Sequence, residues 1–197
     1  MAFIATVPEA AAAGAVAELY AKDKQNMGYL PHYTELFSHR PEVMAAWGAL
    51  LGSIRSHMDL RRYELVTLAA ARALCSSYCM LAHASVLKKH NIFTEAELAD
   101  IAANPDSAVL TPAERAMMRY AAQVVHDATQ TTQNDIDSLK AHGFSDAEIF
   151  DITTAAAVRC FFSKTLDALG ATADEVYLAL DEELQQALVV GRPITQV

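Results

Sequence analysis

The chain has 197 residues, which is enough for one well-buried core and too few to require two independent domains. Its net charge of −9, without any run of lysine and arginine, provides no electrostatic footprint for DNA, RNA or an anionic membrane. The hydrophobic fraction of 53%, much of it alanine, exceeds what a small monomer needs, and it predicts closely packed helices and a homo-oligomer.

The lack of a recognisable secretory signal and the odd number of cysteines predict a cytoplasmic protein. The alanine-rich N-terminal stretch is interrupted by Pro8 and Glu9 and has no basic residue before it, so it lacks the pattern of a secretory signal. No segment supplies the roughly 20 uninterrupted apolar residues of a membrane span. Three cysteines, an odd number, fit a reducing compartment better than a disulfide-stapled secreted fold.

Helix-start signals recur along the chain and predict an all-α fold. No segment alternates with the period of a strand. The pattern Ser/Thr-x-x-Glu, which predicts a capping box, occurs at residues 94–97, 111–114, 145–148 and 172–175. The predicted helices cover residues 8–25, 32–38, 41–56, 60–90 with an interruption near the cysteines, 94–103, 111–127, 132–142, 145–169 and 172–188.

An internal similarity indicates a duplicated helical unit within a single domain of residues 1–197. Residues 93–101 align with residues 144–152, with five identities and three conservative differences. The motif-bearing copy would cover about 60–101 and the second copy about 110–152. The alternative is that capped amphipathic helices resemble one another by convergence.

One cluster of residue types predicts chemistry, namely Cys75, Cys79 and His83. On a continuous helix, residues at i and i+4 share a face, so the three side chains would form one ladder. A thiol reacts as its thiolate, and a neighbouring imidazole favours that form. The competing interpretation of Cys79 is a small buried hydrophobe, which is how most free cysteines behave. Cys160, in an apolar run, is predicted to be a core residue.

Glu64 is the candidate third member of this set. It lies 15 residues before Cys79, which is about 22 Å along a straight helix. The chain must therefore turn between them, or another subunit must supply the carboxylate. If the chain turns, Glu64 can orient His83 or relay its proton. The alternative is a solvated glutamate near the arginines at the helix start.

Two further expectations concern bonds at the cysteines. Side chains at i and i+4 have Cβ atoms about 5–6 Å apart, whereas a disulfide prefers about 3.5–4.5 Å, so a bond between Cys75 and Cys79 needs local unwinding. We predict neither a metal nor a cofactor, because the cysteine spacing lacks a second pair of ligands and the chain has no glycine-rich phosphate loop.

The segment 62–83 resembles the core of the alkylhydroperoxidase D-like, carboxymuconolactone decarboxylase superfamily. Peroxidase members of that family carry a glutamate, then Cys-x-Tyr-Cys, then a histidine four residues on, and Glu64, Tyr78, Cys79 and His83 are in register with that pattern. The first cysteine of the family falls at Ser76, so Cys75 lies one residue too early. Landmarks of the peroxidase-related branch also occur at residues 7–8, 28–31, 38–41, 111–114 and 143–145.

This resemblance implies an AhpD-like helical bundle that assembles into dimers, trimers or hexamers and reduces organic hydroperoxides. Cys79, activated by His83 and Glu64, would attack the peroxide and become a sulfenic acid. Cys75 could then form a disulfide with it, which an external dithiol or a lipoyl-bearing partner would reduce.

The resemblance leaves two other functions open. One is a lyase like the lactone-decarboxylating relatives, which would need His83 and Glu64 for proton transfer but no cysteine pair. The other is a non-catalytic oligomeric redox sensor that has lost turnover with the altered motif.

Overall fold

The computed structural model describes residues 2–195, and these residues form an all-α fold. Four short 3₁₀ turns accompany the α-helices, at Glu9–Ala11, Phe37–His39, Ala128–Gln130 and Glu175–Ala179. The α-helices are α1 (Ala15–Met27), α2 (His32–Leu36), α3 (Pro41–Arg55), α4 (Leu60–Ala73), α5 (Ser77–Lys89), α6 (Glu95–Ala103), α7 (Pro112–Asp127), α8 (Gln133–Ala141), α9 (Asp146–Ala168) and α10 (Glu182–Leu188).

Helix α4 is the centre of the bundle and packs against α5, α7 and α9. Every residue from Tyr63 to Ala71 is buried, so this helix meets protein on all sides. Helix α10 covers α6, and α3 lies against the outer side of α9. Within the described residues, no helix is both long and apolar enough to cross a bilayer.

Local hydrogen bonding explains why most helices begin where the sequence predicts. The boxes at Thr94, Thr111 and Ser145 form as expected, each hydroxyl accepting from the backbone N–H three residues later. Asp59 likewise accepts from Arg62 N at 2.9 Å and starts α4.

Two predicted helices are wrong in extent. The segment 8–25 begins its helix only at Ala15, because Gly14 adopts a φ of 55° and the preceding alanines offer little side-chain surface to bury. The segment 172–188 is a 3₁₀ turn followed by α10. Its expected capping box does not form, since the Thr172 hydroxyl bonds to Thr195.

The prediction that Cys160 belongs to the core is also wrong. Its side chain lies on α9 at intermediate exposure, whereas Phe162, two residues on, is buried. A helix turns about 100° per residue, so an apolar run of five residues reaches both faces.

Candidate functional site

The turn between α4 and α5 brings the sequence-predicted residues to one place in the fold. Helix α4 ends in a Schellman motif, in which Cys75 N donates to Arg72 O at 3.0 Å and Ser76 N donates to Ala71 O at 2.9 Å. Cys75 occupies the left-handed position of this motif with a φ of 54°. The chain then reverses, and α5 starts at Ser77. The interruption predicted near the cysteines is therefore confirmed.

The ladder of three side chains on one helix is wrong for Cys75. This cysteine precedes α5, is exposed and lies in the left-handed turn, whereas Cys79 and His83 both lie on α5. The Schellman motif ends α4 before the cysteines, so the i,i+4 relation connects only Cys79 and His83. All three cysteines are free thiols.

Glu64 contacts His83 within the same subunit. The reversal between α4 and α5 places the Glu64 Oε2 atom in a hydrogen bond with His83 Nδ1. Glu64 is 2% exposed, and the His83 side chain is 16% exposed. The carboxylate is therefore buried behind the imidazole, while an edge of the ring stays open to solvent.

The second nitrogen of His83 is also occupied. Arg159, on α9, places Nη1 3.1 Å from His83 Nε2 and donates from Nη2 to the Tyr63 hydroxyl at 3.3 Å. Arg159 is 1% exposed, and its Nε atom has no hydrogen-bond partner.

The Cys79 thiol has a different partner from the one that its spacing predicts. Ser163, also on α9, donates its hydroxyl proton to Cys79 Sγ at 3.1 Å, and no described hydrogen bond connects the thiol to His83. Cys79 and His83 are four residues apart on α5, and their partners Ser163 and Arg159 are four residues apart on α9. They form two parallel rungs between α5 and α9, about one helical turn apart.

Burial dominates the electrostatics of His83. Removal from water lowers the pKa of His83 below its ordinary value, Glu64 acts in the opposite direction, and Arg159 and Arg55 lower the pKa further. The ring is therefore neutral at physiological pH, which is the protonation state that a general base requires.

A second polar cluster anchors the start of α5. Tyr78 and Tyr29 both donate to Asp174 Oδ2, and the backbone N–H of His32 donates to Asp174 Oδ1 at 2.9 Å. Asp174 is 4% exposed. Burial, followed by the Asp174 charge, raises the pKa of Tyr78 well above its usual value, so the phenol remains a donor. This network fixes the residue immediately before Cys79.

Sequence reasoning missed Arg159, Ser163 and Tyr63. A lone arginine within the otherwise apolar run 155–162 is a signal of a buried cation, and Ser163 follows it at i+4. Nothing in the local pattern connects this face to His83, from which it is 76 residues distant in sequence. Within the described residues, no three His, Cys, Asp or Glu side chains converge as a metal ion would require.

Comparison with known proteins relates the chain to one family model and to several solved structures. Residues 41–123, from the start of α3 into α7, match the model of the carboxymuconolactone decarboxylase family. No curated protein sequence matches the chain significantly.

Solved structures share the fold at low sequence identity. An AhpD-core, peroxidase-related protein from Ralstonia eutropha JMP134 superposes with a TM-score of 0.81 at 20% identity, covering 91% of this chain and 95% of the other. A peroxidase-related protein from Silicibacter sp. TM1040 gives 0.74 at 16% identity, with 90% and 91% covered. The debrominase Bmp8 gives 0.71 at 17% identity, with 86% and 91% covered, and its cysteine-to-alanine variant is described in complex with 2,3,4-tribromopyrrole. These similarities establish an AhpD-like fold.

Proposed function

We propose that this chain, whose residues 41–123 match the model of the carboxymuconolactone decarboxylase family and whose fold is AhpD-like, is a thiol-dependent peroxidase acting on organic hydroperoxides. The observation that carries the proposal is the arrangement of Cys79 one helical turn from His83, which is hydrogen-bonded to the buried Glu64. A nucleophile, a base and an orienting carboxylate are the parts that such chemistry needs.

The first step oxidises Cys79. Its thiol proton passes to His83, the thiolate attacks the terminal peroxide oxygen, a sulfur–oxygen bond forms and the oxygen–oxygen bond breaks. The departing alkoxide takes the proton back from His83. The thiol becomes a sulfenic acid and the hydroperoxide becomes an alcohol.

The hydroperoxide itself, or one water, carries the proton between Cys79 and His83. The two side chains are one turn apart and share no hydrogen bond, so a small polar molecule has to bridge them. The Ser163 hydroxyl, which donates to Cys79 Sγ, supports negative charge on the sulfur during the attack.

An external thiol completes the cycle in this proposal. It condenses with the sulfenic acid to give a mixed disulfide and water, and a second thiol releases Cys79 and leaves as the oxidised disulfide. A dithiol, such as a lipoyl group, can perform both steps. Cys75, exposed on the turn, would need the start of α5 to unwind before it could reach the buried Cys79. Its resolving role stays a prediction.

The test is the reduction of cumene hydroperoxide with dithiothreitol or dihydrolipoamide as reductant. Cys79→Ser should abolish turnover and remove the sulfenate detected by mass spectrometry, whereas the matched variant Cys160→Ser should behave as wild type. Cys75→Ser should retain sulfenate formation, and loss of dithiol-dependent turnover in this variant would identify Cys75 as the resolving thiol. Wild-type turnover in Cys79→Ser would refute the peroxidase.

A second candidate is proton-transfer catalysis of the lyase type. It is favoured by one observation, that both His83 nitrogens are hydrogen-bonded to groups other than the thiol. A carboxylate-bearing lactone would be the substrate class, as the family description implies. Activity on such a lactone that survives Cys79→Ser and disappears in His83→Gln would select this function. A protein without either activity whose Cys79 still oxidises would be a redox sensor. Debromination of 2,3,4-tribromopyrrole belongs in the same substrate panel, because a similar structure is described with that compound.

We also propose that the chain forms a homo-oligomer through α3 and α9. Helix α3 has no buried residue, although it is largely apolar. Leu50 and Phe161 are 52% and 43% exposed, and they border a groove of about 780 Å³ between the two helices. Apolar surface of this kind on a monomer is typical of a protein interface. Dimer, trimer and hexamer are the candidate states.

A further inference from the structure

Arg159 is a buried cation that the family motif does not explain. It is 1% exposed, and among the ion pairs of residues 2–195 it takes part in none. Burying a charge without a paired carboxylate is costly, so such a residue needs a compensating role. Its two nearest polar partners are His83 and Tyr63.

The chemistry of the two hydrogen bonds determines the tautomer of His83. A guanidinium group has only donors, so His83 Nε2, 3.1 Å from Arg159 Nη1, must accept and cannot carry a proton. The proton of the neutral ring therefore resides on Nδ1, which donates it to Glu64 Oε2. Glu64 alone would be compatible with either a neutral or a doubly protonated ring, whereas Arg159 is compatible only with the neutral Nδ1–H form.

We propose that Arg159 is a positioning residue that holds His83 as the neutral Nδ1–H tautomer and keeps the Nε2 lone pair directed into the cluster as the proton acceptor. The tautomer assignment stands on geometry alone. Its consequence for catalysis rests on the proposed function, in which His83 is the base.

The same contact destabilises the protonated state of His83. An imidazolium cannot accept from Arg159, so proton uptake breaks this bond and opposes two like charges. The proton is therefore passed on readily to the departing alkoxide. Arg159 weakens His83 as a base and strengthens its conjugate acid in the next step.

Every charged or titratable group around His83 enters this balance. Helix α4 contributes Glu64, helix α9 contributes Arg159, and α3 contributes Arg55. The Tyr63 ring lies edge-on to the imidazole with centroids 6.3 Å apart, and Cys79 lies one turn away on α5. Arg55 and Arg159 share the same sign of charge, but only Arg159 is hydrogen-bonded to the ring.

A purely structural role for Arg159 is the competing explanation. The guanidinium lies 5.5 Å and 5.7 Å from the ring centroids of Trp47 and Phe162, so the side chain also fills space within an aromatic cluster. Arg159→Met keeps most of that volume and removes both the charge and the donors. Arg159→Lys keeps the charge but not the two-pronged donor geometry.

The experiment is a pH titration of ¹⁵N-histidine-labelled protein, with His83 assigned through His83→Gln. In wild type, long-range proton–nitrogen spectra should show Nδ1 protonated and Nε2 unprotonated. In Arg159→Met, the Nε2–H form should appear and the pKa of His83 should rise, which moves the acid limb of the peroxidase pH profile to higher pH. Glu64→Gln should move that limb to lower pH. Arg159→Lys should fall between wild type and Arg159→Met.

Arg55→Met is the matched control, because it removes a nearby charge without removing a hydrogen bond to the ring. It should raise the pKa of His83 and leave the tautomer unchanged. The proposal is overturned if Arg159→Met keeps the wild-type tautomer, or if Arg55→Met changes the tautomer equally. If Arg159→Met does not fold, the same comparison is made between Arg159→Lys and Arg55→Lys. Repeating the spectra in Cys79→Ser distinguishes a failure of the tautomer proposal from a failure of the proposed peroxidase function. The Nδ1–H tautomer must persist in this variant even if the protein has no peroxidase activity.

Discussion

Gly191 offers a sharp test of how the C-terminal segment, residues 189–195, covers the turn before the candidate site. A Cβ atom on Gly191 would stand 2.0 Å from the Cys75 carbonyl oxygen and 3.2 Å from its carbonyl carbon. The carbonyl is part of the hydrogen-bonded turn that ends α4, so it cannot swing aside as a flexible side chain can. We therefore predict that Gly191→Ala destabilises the protein.

The size of the effect follows from the displacement that alanine requires. An unstrained carbon–oxygen contact is about 3.5 Å, so the C-terminal segment must retreat by roughly 1.5 Å. That movement breaks the bond from Gly191 N to Ser77 Oγ, which is 2.8 Å long. The lost hydrogen bond costs about 1 kcal/mol, and over-packing against fixed backbone costs about 1–3 kcal/mol. The free energy of unfolding should fall by about 2–4 kcal/mol, which lowers Tm by roughly 4–16 °C.

Urea-induced unfolding at fixed protein concentration measures this loss, with Gly48→Ala as the matched control. Gly48 lies within α3 with nothing within 4 Å of a Cβ atom, so alanine there should leave the protein equally stable or stabilise it by up to about 1 kcal/mol. A loosened segment should also uncover the first turn of α5 and speed alkylation of Cys79 in Gly191→Ala alone. Equal unfolding midpoints and equal alkylation rates in Gly191→Ala and wild type would refute the reasoning.

Three further outcomes are expected. The free energy of unfolding should decrease as the pH falls below about 6.5, the ordinary pKa of histidine. Burial lowers the pKa of His83 in the folded state, so the unfolded chain binds the proton first. The urea midpoint of His83→Gln should decrease less over the same pH range, and a decrease equal to that of wild type would contradict the role of His83. Cys75→Gly should stabilise the protein by about 1 kcal/mol, because a non-glycine residue in the left-handed region costs about 1–2 kcal/mol. The gain is smaller than the full cost, since glycine loses more backbone entropy on folding than cysteine does. Cys75→Ala is the control and should unfold at the wild-type urea concentration. Light scattering after size-exclusion chromatography should show a smaller oligomer for Leu50→Asp than for wild type. Val176→Asp is the control, because Val176 is as exposed as Leu50 but lies outside the α3–α9 face, and this variant should keep the wild-type mass. An unchanged mass in both variants would rule out that face as the interface.

Helix starts were predictable because their determinants are neighbours in sequence. At Thr94, Thr111 and Ser145, the hydroxyl and the backbone amide that it accepts from are three residues apart, so the interaction needs no other part of the chain. Thr172 carries the same signal but fails, because its hydroxyl finds Thr195 in the folded protein. A local signal is reliable only where no distant partner competes for the same atom.

The same distinction between local and distant partners decides which parts of the candidate site the sequence predicts. The relation between Cys79 and His83 is a property of one helix and could be stated from spacing alone. The approach of Glu64 could be posed only as a condition, that the chain turns, and the Schellman motif at Cys75 meets that condition.

Local chemistry thus determines the helical class, the helix that carries Cys79 and His83, and the break before it, since each depends on residues within a few positions of one another. The surroundings of the two side chains depend on how α4, α5 and α9 pack. Packing places the Ser163 hydroxyl, 84 residues away in sequence, in a hydrogen bond with the Cys79 thiol. It likewise places Arg159 in a hydrogen bond with the second imidazole nitrogen of His83. Such pairings arise only when burial removes water as the competing partner, which is why a buried arginine, and not the motif around Cys79, selects the tautomer of His83.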